Sequence, residues 1–174
     1  MMITKPYVGQ ISNADKMTAE QRTSFFGPYQ TVALPAGAEL WRFISKQMDH
    51  RFSAFWVDAQ TMTTIMQTLH TTGRFSQEDK RENVMNSLAI LQDWSQLNWR
   101  LKIRLKKEVI AYTGQTDTQK KFTDVPNTTP FGGPVTIRNV TETRIGREVQ
   151  YVIPRFKGLP NVNEWASVEL FVHI

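Results

Sequence analysis

The sequence contains no cysteine among its 174 residues and only three histidines, His50, His70 and His173. Without cysteine there is no disulfide, no thiol nucleophile and no thiolate metal ligand, which suits either a reducing cytosol or a chain that is unfolded during delivery. The histidines show neither the HExxH spacing nor a Cys/His pattern, so we expect no metal site. Any chemistry must come from other polar and aromatic side chains.

Long apolar segments and the common nucleotide or hydrolase motifs are also missing. No run of eighteen apolar residues occurs, and the first residues lack the apolar segment of a Sec signal peptide, so we expect neither membrane insertion nor Sec export. The chain has no GxxxxGK loop, no GxGxxG after a strand and no GxSxG elbow. Kinase, Rossmann and serine-hydrolase functions therefore have no basis.

The composition is that of a folded, basic domain. Hydrophobic residues make up 40% of the chain, with ten Phe, five Trp and four Tyr, and the net charge is +5. No linker-like segment divides the sequence, so we expect one domain over residues 1–174. The positive charge is compatible with RNA, DNA, an acidic protein or a phosphorylated small molecule and selects none of them.

The first half of the chain predicts strands followed by helices. Thr18 can cap a short helix in TAEQRTSFF, YQTVAL and LWRFIS read as strands, and RFSAFWV reads as a short strand. In LWRFIS, Arg42 shares a face with apolar neighbours and is expected to be partly buried.

Residues 58–97 are expected to be mainly helical. Asp58 can cap a first helix that ends at Gly73, and Ser76 can begin a longer second helix over SQEDKRENVMNSLAILQDWSQLN. The expected buried positions are Met62, Ile65, Met66 and Leu69 in the first helix and Val84, Leu88, Leu91 and Trp94 in the second.

The segment RLKIRLKK gives a clear strand signal. Leu101, Ile103 and Leu105 alternate with cationic side chains, so one face is predicted to be buried and the other charged. The charged face has two interpretations, a solvated sheet surface or an RNA-binding stripe.

The last part of the chain is predicted to be a loop followed by antiparallel strands. Residues 115–134 are rich in Thr, Pro, Asn and Gly and are expected to form a long loop. In GREVQYVIPRF, alternation should place Val149, Tyr151 and Ile153 on the core side and Glu148 with Gln150 on the opposite side. The order of strands, two helices and further strands indicates an α+β fold.

Three separated segments resemble the ADP-ribosyltransferase superfamily and its NAD-glycohydrolase relatives, including TNT-like toxins. LPAGAELWRF is similar to an early strand that carries Arg, SAFW to a middle aromatic element, and EVQYVIP to a late strand that carries Glu or Gln. YTGQTDTQ and the GGP turn are similar to segments of bacterial polymorphic toxins. The late strand reads Glu-x-Gln, where transferases of this superfamily have Glu-x-Glu or Gln-x-Glu.

The resemblance implies an antiparallel split sheet of the ADP-ribosyltransferase type, with a helical segment between the early and late strands. It also implies NAD as the substrate. Its implied catalytic residues are Gln150, Glu148 and Arg42, and its implied NAD-binding residues are Arg42, Phe52, Ser53, Phe55, Trp56 and Tyr112.

The activity implied by the resemblance is cleavage of the bond between nicotinamide and ribose. An Arg can hold phosphate oxygens, aromatic rings can stack on nicotinamide, and a carboxamide or carboxylate can bind the ribose as it gains oxocarbenium character. Glu148 could instead be the principal acid/base group. The alternatives are transfer of ADP-ribose to a protein or RNA, and a non-catalytic RNA-binding or interaction module. A toxin of this type would be delivered into a target-cell cytoplasm and neutralised in its producer by a cognate immunity protein.

Overall fold

The computed structural model of the protein describes most of the chain. The described residues are 2–12, 16–44, 53–70, 76–90, 97–156, 159 and 161–173. The predicted site residue Phe52 lies outside these ranges, as do the expected helix end at Gly73 and the expected core positions Leu91 and Trp94.

The described residues form ten strands and three α-helices, which confirms the α+β class. In chain order the elements are β1 (Lys5–Pro6), α1 (Ala19–Thr23), β2 (Phe25–Leu34), β3 (Glu39–Ile44), β4 (Phe55–Trp56), α2 (Ala59–His70), α3 (Gln77–Ser87), β5 (Trp99–Leu105), β6 (Val109–Thr116), β7 (Gln119–Thr128), β8 (Pro134–Arg144), β9 (Val149–Val152) and β10 (Ala166–His173). No helix in these ranges is both long enough and apolar enough to cross a membrane.

The strands form three antiparallel sheets. Five strands pair in the order β1-β2-β6-β9-β4, three in the order β10-β5-β3, and β7 pairs with β8 alone. Trp41 of β3 exchanges backbone hydrogen bonds of 2.8 and 2.9 Å with Val57, the residue after β4. The two larger sheets therefore meet beside Arg42 and Trp56.

The main core lies between these two sheets. Leu40 of β3 and Leu101 and Ile103 of β5 are fully buried in it, together with Trp56 at 1% exposure. The alternation in β5 is confirmed, because its apolar residues enter this core while its cationic residues face outward. Burial of these side chains removes apolar surface from water, which is the main force that holds the two sheets together.

The outward face of β5 is a network of ion pairs. Lys102 Nζ lies 3.2 Å from Glu39 and 3.1 Å from Glu169, and Arg104 contacts the same two carboxylates. Hydrogen bonds to Glu169 and Glu39 raise the pKa of Lys102. The carboxylates come from the two strands that flank β5 and neutralise Lys102 and Arg104, whereas Arg100 packs over the Trp41 ring and Lys106 donates to Asn163 O.

The helix starts follow the predicted capping chemistry. The Thr18 hydroxyl accepts a hydrogen bond from the Gln21 backbone, and the Gln21 side chain accepts one from the Thr18 backbone. Asp58 Oδ1 accepts from Thr61 N at 2.8 Å and so caps α2. Ser76 forms the same type of capping box at the start of α3. Each cap satisfies a backbone N–H that has no partner within the helix.

Helix α3 is shorter than predicted. It ends at Ser87 because Ala89 adopts a left-handed conformation with φ 53°. Ile90 N then donates to Met85 O at 2.9 Å and Ala89 N donates to Asn86 O at 3.3 Å, which is a Schellman motif. Glycine usually occupies this position, so the sequence contained no standard stop signal there.

The loop predicted over residues 115–134 is wrong. This region contains the end of β6 and all of β7, and β7 pairs along its whole length with β8, including the cross-strand pairs Val125 with Ile137 and Phe122 with Val140. The Thr, Asn and Pro content suggested a loop, although Thr, Val and Phe also favour strands. We call residues 119–144 the β7–β8 arm.

The predicted alternation in β9 is only partly correct. Tyr151 and Ile153 are buried, but Val149 is 41% exposed and Gln150 is only 6% exposed. Val149 is the first residue of β9, where the strand has just entered the sheet. The face that carries Gln150 is covered by the end of α1, because Gln150 bonds to Ser24.

Candidate functional site

A cleft of about 500 Å³ opens where the two larger sheets meet. Its walls come from α1, β3, β4, β9 and the segments that follow α3 and β6. Five of the eight predicted site residues line it, namely Arg42, Ser53, Phe55, Trp56 and Gln150. These residues are up to 108 positions apart in sequence, from Arg42 to Gln150. The fold therefore brings together most of a site that the sequence could only propose as separate segments.

Arg42 is the central charge of the cleft. Nε and Nη1 of its guanidinium are buried and have no hydrogen-bond partner among the described residues. The guanidinium carbon lies 5.6 Å from the centre of the Trp56 ring. Burial lowers the pKa of Arg42 to about 10, so the group is still a cation at neutral pH. An unpaired buried cation is costly to the fold and is well suited to bind an anion.

Trp56 forms a rigid aromatic wall beside Arg42. Its indole Nε1 donates to Ser53 O at 2.7 Å, and Phe55 N donates to Ser53 Oγ at 3.3 Å. Ser53 therefore orients the backbone and the ring at the start of β4. The rings of Phe55 and Trp41 also line the cleft, so a flat heterocycle would meet aromatic surface.

Strand β9 supports the aromatic wall from behind. Tyr151 pairs with Trp56 of β4 on one side and with Thr113 of β6 on the other. Burial raises the pKa of Tyr151, and the nearby Asp58 carboxylate raises it further. Tyr151 thus stays protonated, and its strand joins β4 to β6.

Gln150 joins the late strand to the end of α1. Its Nε2 donates to Ser24 O at 3.0 Å and to Ser24 Oγ at 3.1 Å. Both bonds use the nitrogen, so Oε1 is the carboxamide atom with which Gln150 can accept a hydrogen bond from a ligand. Gln150 therefore both closes one wall of the cleft and presents an acceptor there.

Two of the predicted site residues lie elsewhere. Glu148 precedes β9 and does not line the cleft; its backbone bonds to Thr116 and Ser87. Tyr112 is buried in a cluster with Phe25 and other apolar residues and packs edge-on against Tyr29. The structure thus separates Glu148 from Gln150, although only one residue lies between them.

Sequence reasoning missed two carboxylates of the cleft. Glu20 is in the first turn of α1, and Asp117 follows β6. Asp117 Oδ1 accepts from Thr118 N at 2.7 Å and lies 3.6 Å from Arg147 Nη1. Glu20 belongs to no recognisable motif, and Asp117 lies in YTGQTDTQ, a segment that carried part of the sequence resemblance but to which no site role was assigned.

The arrangement is suited to bind an anion next to a flat ring. A guanidinium with unused N–H groups, an aromatic wall and a carboxamide oxygen converge on one cleft. Within the described ranges, no group of three or more His, Asp or Glu side chains could hold a metal ion. The chemistry that these residues offer is electrostatic and positional.

Comparisons with known proteins give one structural likeness. No family model and no curated protein sequence matches the chain. A solved structure, Rhs1-CT in complex with its cognate immunity protein RhsI1, is similar at 16% sequence identity and a TM-score of 0.47, over 84% of this chain and 81% of that chain. At this level of likeness it assigns neither a family nor an activity.

Proposed function

We propose that the chain is an NAD-consuming toxin domain of the ADP-ribosyltransferase type that hydrolyses the bond between nicotinamide and ribose. The observation that carries this proposal is the buried guanidinium of Arg42, with no hydrogen-bond partner on Nε and Nη1 in the described part of the chain, in an aromatic cleft that also contains Gln150. NAD combines the two groups that such a cleft can bind, a pyrophosphate and a flat nicotinamide ring.

Arg42 would hold the pyrophosphate. Its Nε and Nη1 can each donate a hydrogen bond to a phosphate oxygen of the pyrophosphate, which would satisfy both buried donors. While the buried Trp56 would hold Arg42 in place, Phe55 and Trp41, which line the cleft and are partly exposed, would pack on the nicotinamide ring. This ring is cationic in NAD, and a cation is attracted to the face of an aromatic side chain.

Gln150 would contact the ribose whose bond breaks. When the C–N bond cleaves, its electron pair leaves with the nicotinamide, which becomes neutral, and the ribose develops oxocarbenium character. A ribose hydroxyl that donates to Gln150 Oε1 orients the sugar as this charge grows. Water then adds to the ribose carbon and releases one proton, which yields nicotinamide and ADP-ribose.

Hydrolysis is preferred over transfer because of the position of Glu148. A transferase that deprotonates its acceptor needs a base beside the reacting carbon, and Glu148 does not line the cleft. Transfer to a protein or RNA remains the alternative within the same fold. An RNA-binding module is less favoured, because Lys102 and Arg104 at the centre of the basic strand are paired with Glu39 and Glu169.

The toxin role rests on the sequence resemblance. That resemblance suggests delivery into a target-cell cytoplasm and neutralisation in the producer by a cognate immunity protein. Catalysis and toxicity are separate claims, because an NAD-cleaving domain of this fold need not be an effector. Expression in a host cell with measurement of its NAD pool tests the toxin role independently.

Incubation of the purified protein with NAD tests the proposed reaction. Release of nicotinamide without any other protein supports hydrolysis. Release only after addition of cell lysate supports transfer to an acceptor. No release under either condition contradicts both enzymatic proposals and favours a binding module.

A further inference from the structure

We infer that the β7–β8 arm is the docking element for a protein inhibitor, which holds the arm in a groove and covers the adjacent cleft. This inference rests on the proposed function, because the inhibitor is the cognate immunity protein of the proposed toxin. Three observations support it: apolar surface on both faces of the arm, the size of those faces, and the position of two lysines where the arm leaves the cleft.

Both faces of the arm carry exposed apolar side chains. Residues that pair directly across two antiparallel strands share a face, and successive residues alternate between the faces. Phe122 and Val140 pair on one face, and Val125 and Ile137 pair on the other. These four side chains are 40–50% exposed, and Phe131, between the two strands, is fully exposed. Apolar surface on both sides of a narrow ribbon suits insertion between two walls of a partner.

The size of the arm favours such a groove over association with a second copy of the chain. Strand β7 has ten residues and β8 has eleven. At about 3.3 Å per residue and about 4.8 Å between strands, each face measures roughly 300 Å². Two arms packed face to face would therefore bury about 600 Å², well below the roughly 1,200 Å² of a small specific interface. A groove that covers both faces of one arm would bury about 600 Å² on the arm and as much on the partner, which reaches that size.

The chemistry of the arm fits a protein better than a nucleic acid or a lipid surface. All of residues 122–141 are described, and their charged side chains are Asp124 and Arg138, which lie directly opposite each other on the two strands. The guanidinium carbon of Arg138 also lies 4.0 Å from the centre of the Phe122 ring. A phosphate backbone would find no row of cations on this part of the arm. A carboxylate such as that of Asp124 is costly within a lipid bilayer.

The base of the arm adjoins the cleft and is positively charged. Gln119, the first residue of β7, lines the cleft together with Asp117. Lys120 and Lys121 follow, and both are exposed. A partner that encloses the arm down to its base would meet these two cations, so the rim of its groove should be acidic. In that position the partner would also exclude NAD from the cleft.

A protector protein selected by its function supplies the binding probe. A genomic library of the source organism is expressed in host cells that also express the chain, and clones are selected that restore growth and the NAD pool. The purified protector should bind the chain and inhibit nicotinamide release. Calorimetry measures its affinity for the chain and for variants of the arm.

The variants test the docking site and the contribution of each face. Replacement of residues 122–141 by Asn-Gly should lower the affinity about 100-fold or more and make nicotinamide release resistant to the protector, while release itself stays within about twofold. The double variants Val125→Ser, Ile137→Ser and Phe122→Ser, Val140→Ser, one for each face, should each lower the affinity about tenfold or more. Val168→Ser is the matched control, because Val168 lies on β10 and is 41% exposed like Val125, and it should leave the affinity unchanged.

The outcomes separate the inference from the proposed function. A protector that binds every arm variant as tightly as the unaltered chain would overturn the docking site and leave NAD hydrolysis intact. A loss confined to one face would overturn the insertion into a groove. Dimerisation, or binding of RNA or of anionic vesicles, that is lost when the arm is shortened would overturn the inference in favour of that occupant. Loss of host NAD that no clone prevents would contradict the inhibitor, and if the chain releases no nicotinamide, both the function and the inference are wrong.

Discussion

The cleft and the β7–β8 arm are built in opposite ways. In the cleft, polar groups are buried without complete pairing, as Nε and Nη1 of Arg42 illustrate. In the arm, backbone groups pair across two long strands, yet neither face is covered, and Phe122, Val125, Ile137 and Val140 are each 40–50% exposed. One region buries charge and the other exposes apolar surface.

The difference shows where this fold tolerates a cost in stability. A buried cation without a partner destabilises a domain, and such costs are retained mainly at functional sites. The arm buries little apolar surface of its own, and an isolated pair of strands is marginally stable in water. Its base is attached to the domain by Arg144, whose Nε bonds to Glu142 and whose guanidinium pairs with Glu82 of α3. We therefore expect the cleft to govern activity and the arm to be dispensable for it.

The largest effect is expected for Arg42→Met. The substitution removes the anion-binding group and keeps an apolar chain of similar length, so kcat/KM for nicotinamide release should fall roughly 10³-fold. The free energy of unfolding should rise by about 1–3 kcal/mol, because a buried charge without a partner among the described residues is lost. Steady-state kinetics and urea denaturation measure the two quantities.

The control for this variant is Arg104→Met, which removes an arginine that is paired with Glu39 and Glu169. This control should leave activity unchanged and should not increase stability. Unfolding of Arg42→Met would contradict the comparison, since it would make Arg42 a structural residue.

Gln150→Ala should lower the rate of nicotinamide release about 100-fold, the usual loss for one donor or acceptor that acts on the transition state. Gln150 also bonds to Ser24, so Ser24→Ala separates the two roles. Ser24→Ala removes one acceptor of Nε2 and leaves Oε1 untouched, and we expect a loss of less than about fivefold. An equal loss in both variants would mean that Gln150 acts only by holding α1.

The variant Glu148→Gln tests whether the reaction is hydrolysis or transfer. Glu148 does not line the cleft, so nicotinamide release in the absence of an acceptor should change by less than about threefold. The measurement is the same release assay with NAD alone. A loss comparable to that of Gln150→Ala would identify Glu148 as the catalytic residue and would require the start of β9 to move toward the cleft.

The pKa of Arg42 predicts a pH dependence of binding. Burial lowers this pKa to about 10, so the cation is fully present at neutral pH and is lost as the pH rises through that value. The affinity for ADP-ribose should be constant from pH 7 to 9 and should fall by up to roughly tenfold per pH unit above 10. Nicotinamide, which has no phosphate, controls for general effects of alkali. Constant affinity for ADP-ribose up to pH 11 would argue against phosphate binding by Arg42.

The smallest effect is expected from shortening the arm. Replacement of residues 122–141 by Asn-Gly would connect Lys121 to Glu142, which already pair across the strands, through a two-residue turn. Because Glu82 and Glu142 still hold Arg144, the melting temperature should change by only a few degrees, and nicotinamide release should stay within about twofold. Loss of cooperative unfolding would show that the arm is part of the main folding unit.

Local structure was more predictable from the sequence than the way in which the strands and helices pair and pack. The caps at Thr18, Asp58 and Ser76 and the alternation in β5 were predicted correctly, because each depends on neighbours within a few residues. The arm was not predicted, since its stability depends on pairing between strands that looked loop-like in composition. The end of α3 was missed because a left-handed alanine stands where glycine is usual.

The types of residue in the candidate site were predictable from the sequence. Only some of the individual residues that line the cleft were predicted. The placement of Arg42, Ser53, Phe55, Trp56 and Gln150 on one cleft agrees with the predicted grouping. Glu148 stands two positions from Gln150 and was expected on the same face. It is not among the residues that line the cleft, although its carbonyl accepts from Thr116 N beside the end of β6 and its N–H donates to Ser87 O after α3.

The sequence by itself determined the α+β class, the helix caps and the buried face of β5, because these follow from side-chain periodicity and local hydrogen bonding. Only the tertiary structure decided which residues meet in the cleft. Glu20, Arg42, Asp117 and Gln150 come from elements far apart in the chain, and the pairing of two sheets at Trp41 and Val57 brings them around one cavity. Burial there leaves Nε and Nη1 of Arg42 without a partner among the described residues, a property that no pattern in the sequence contains.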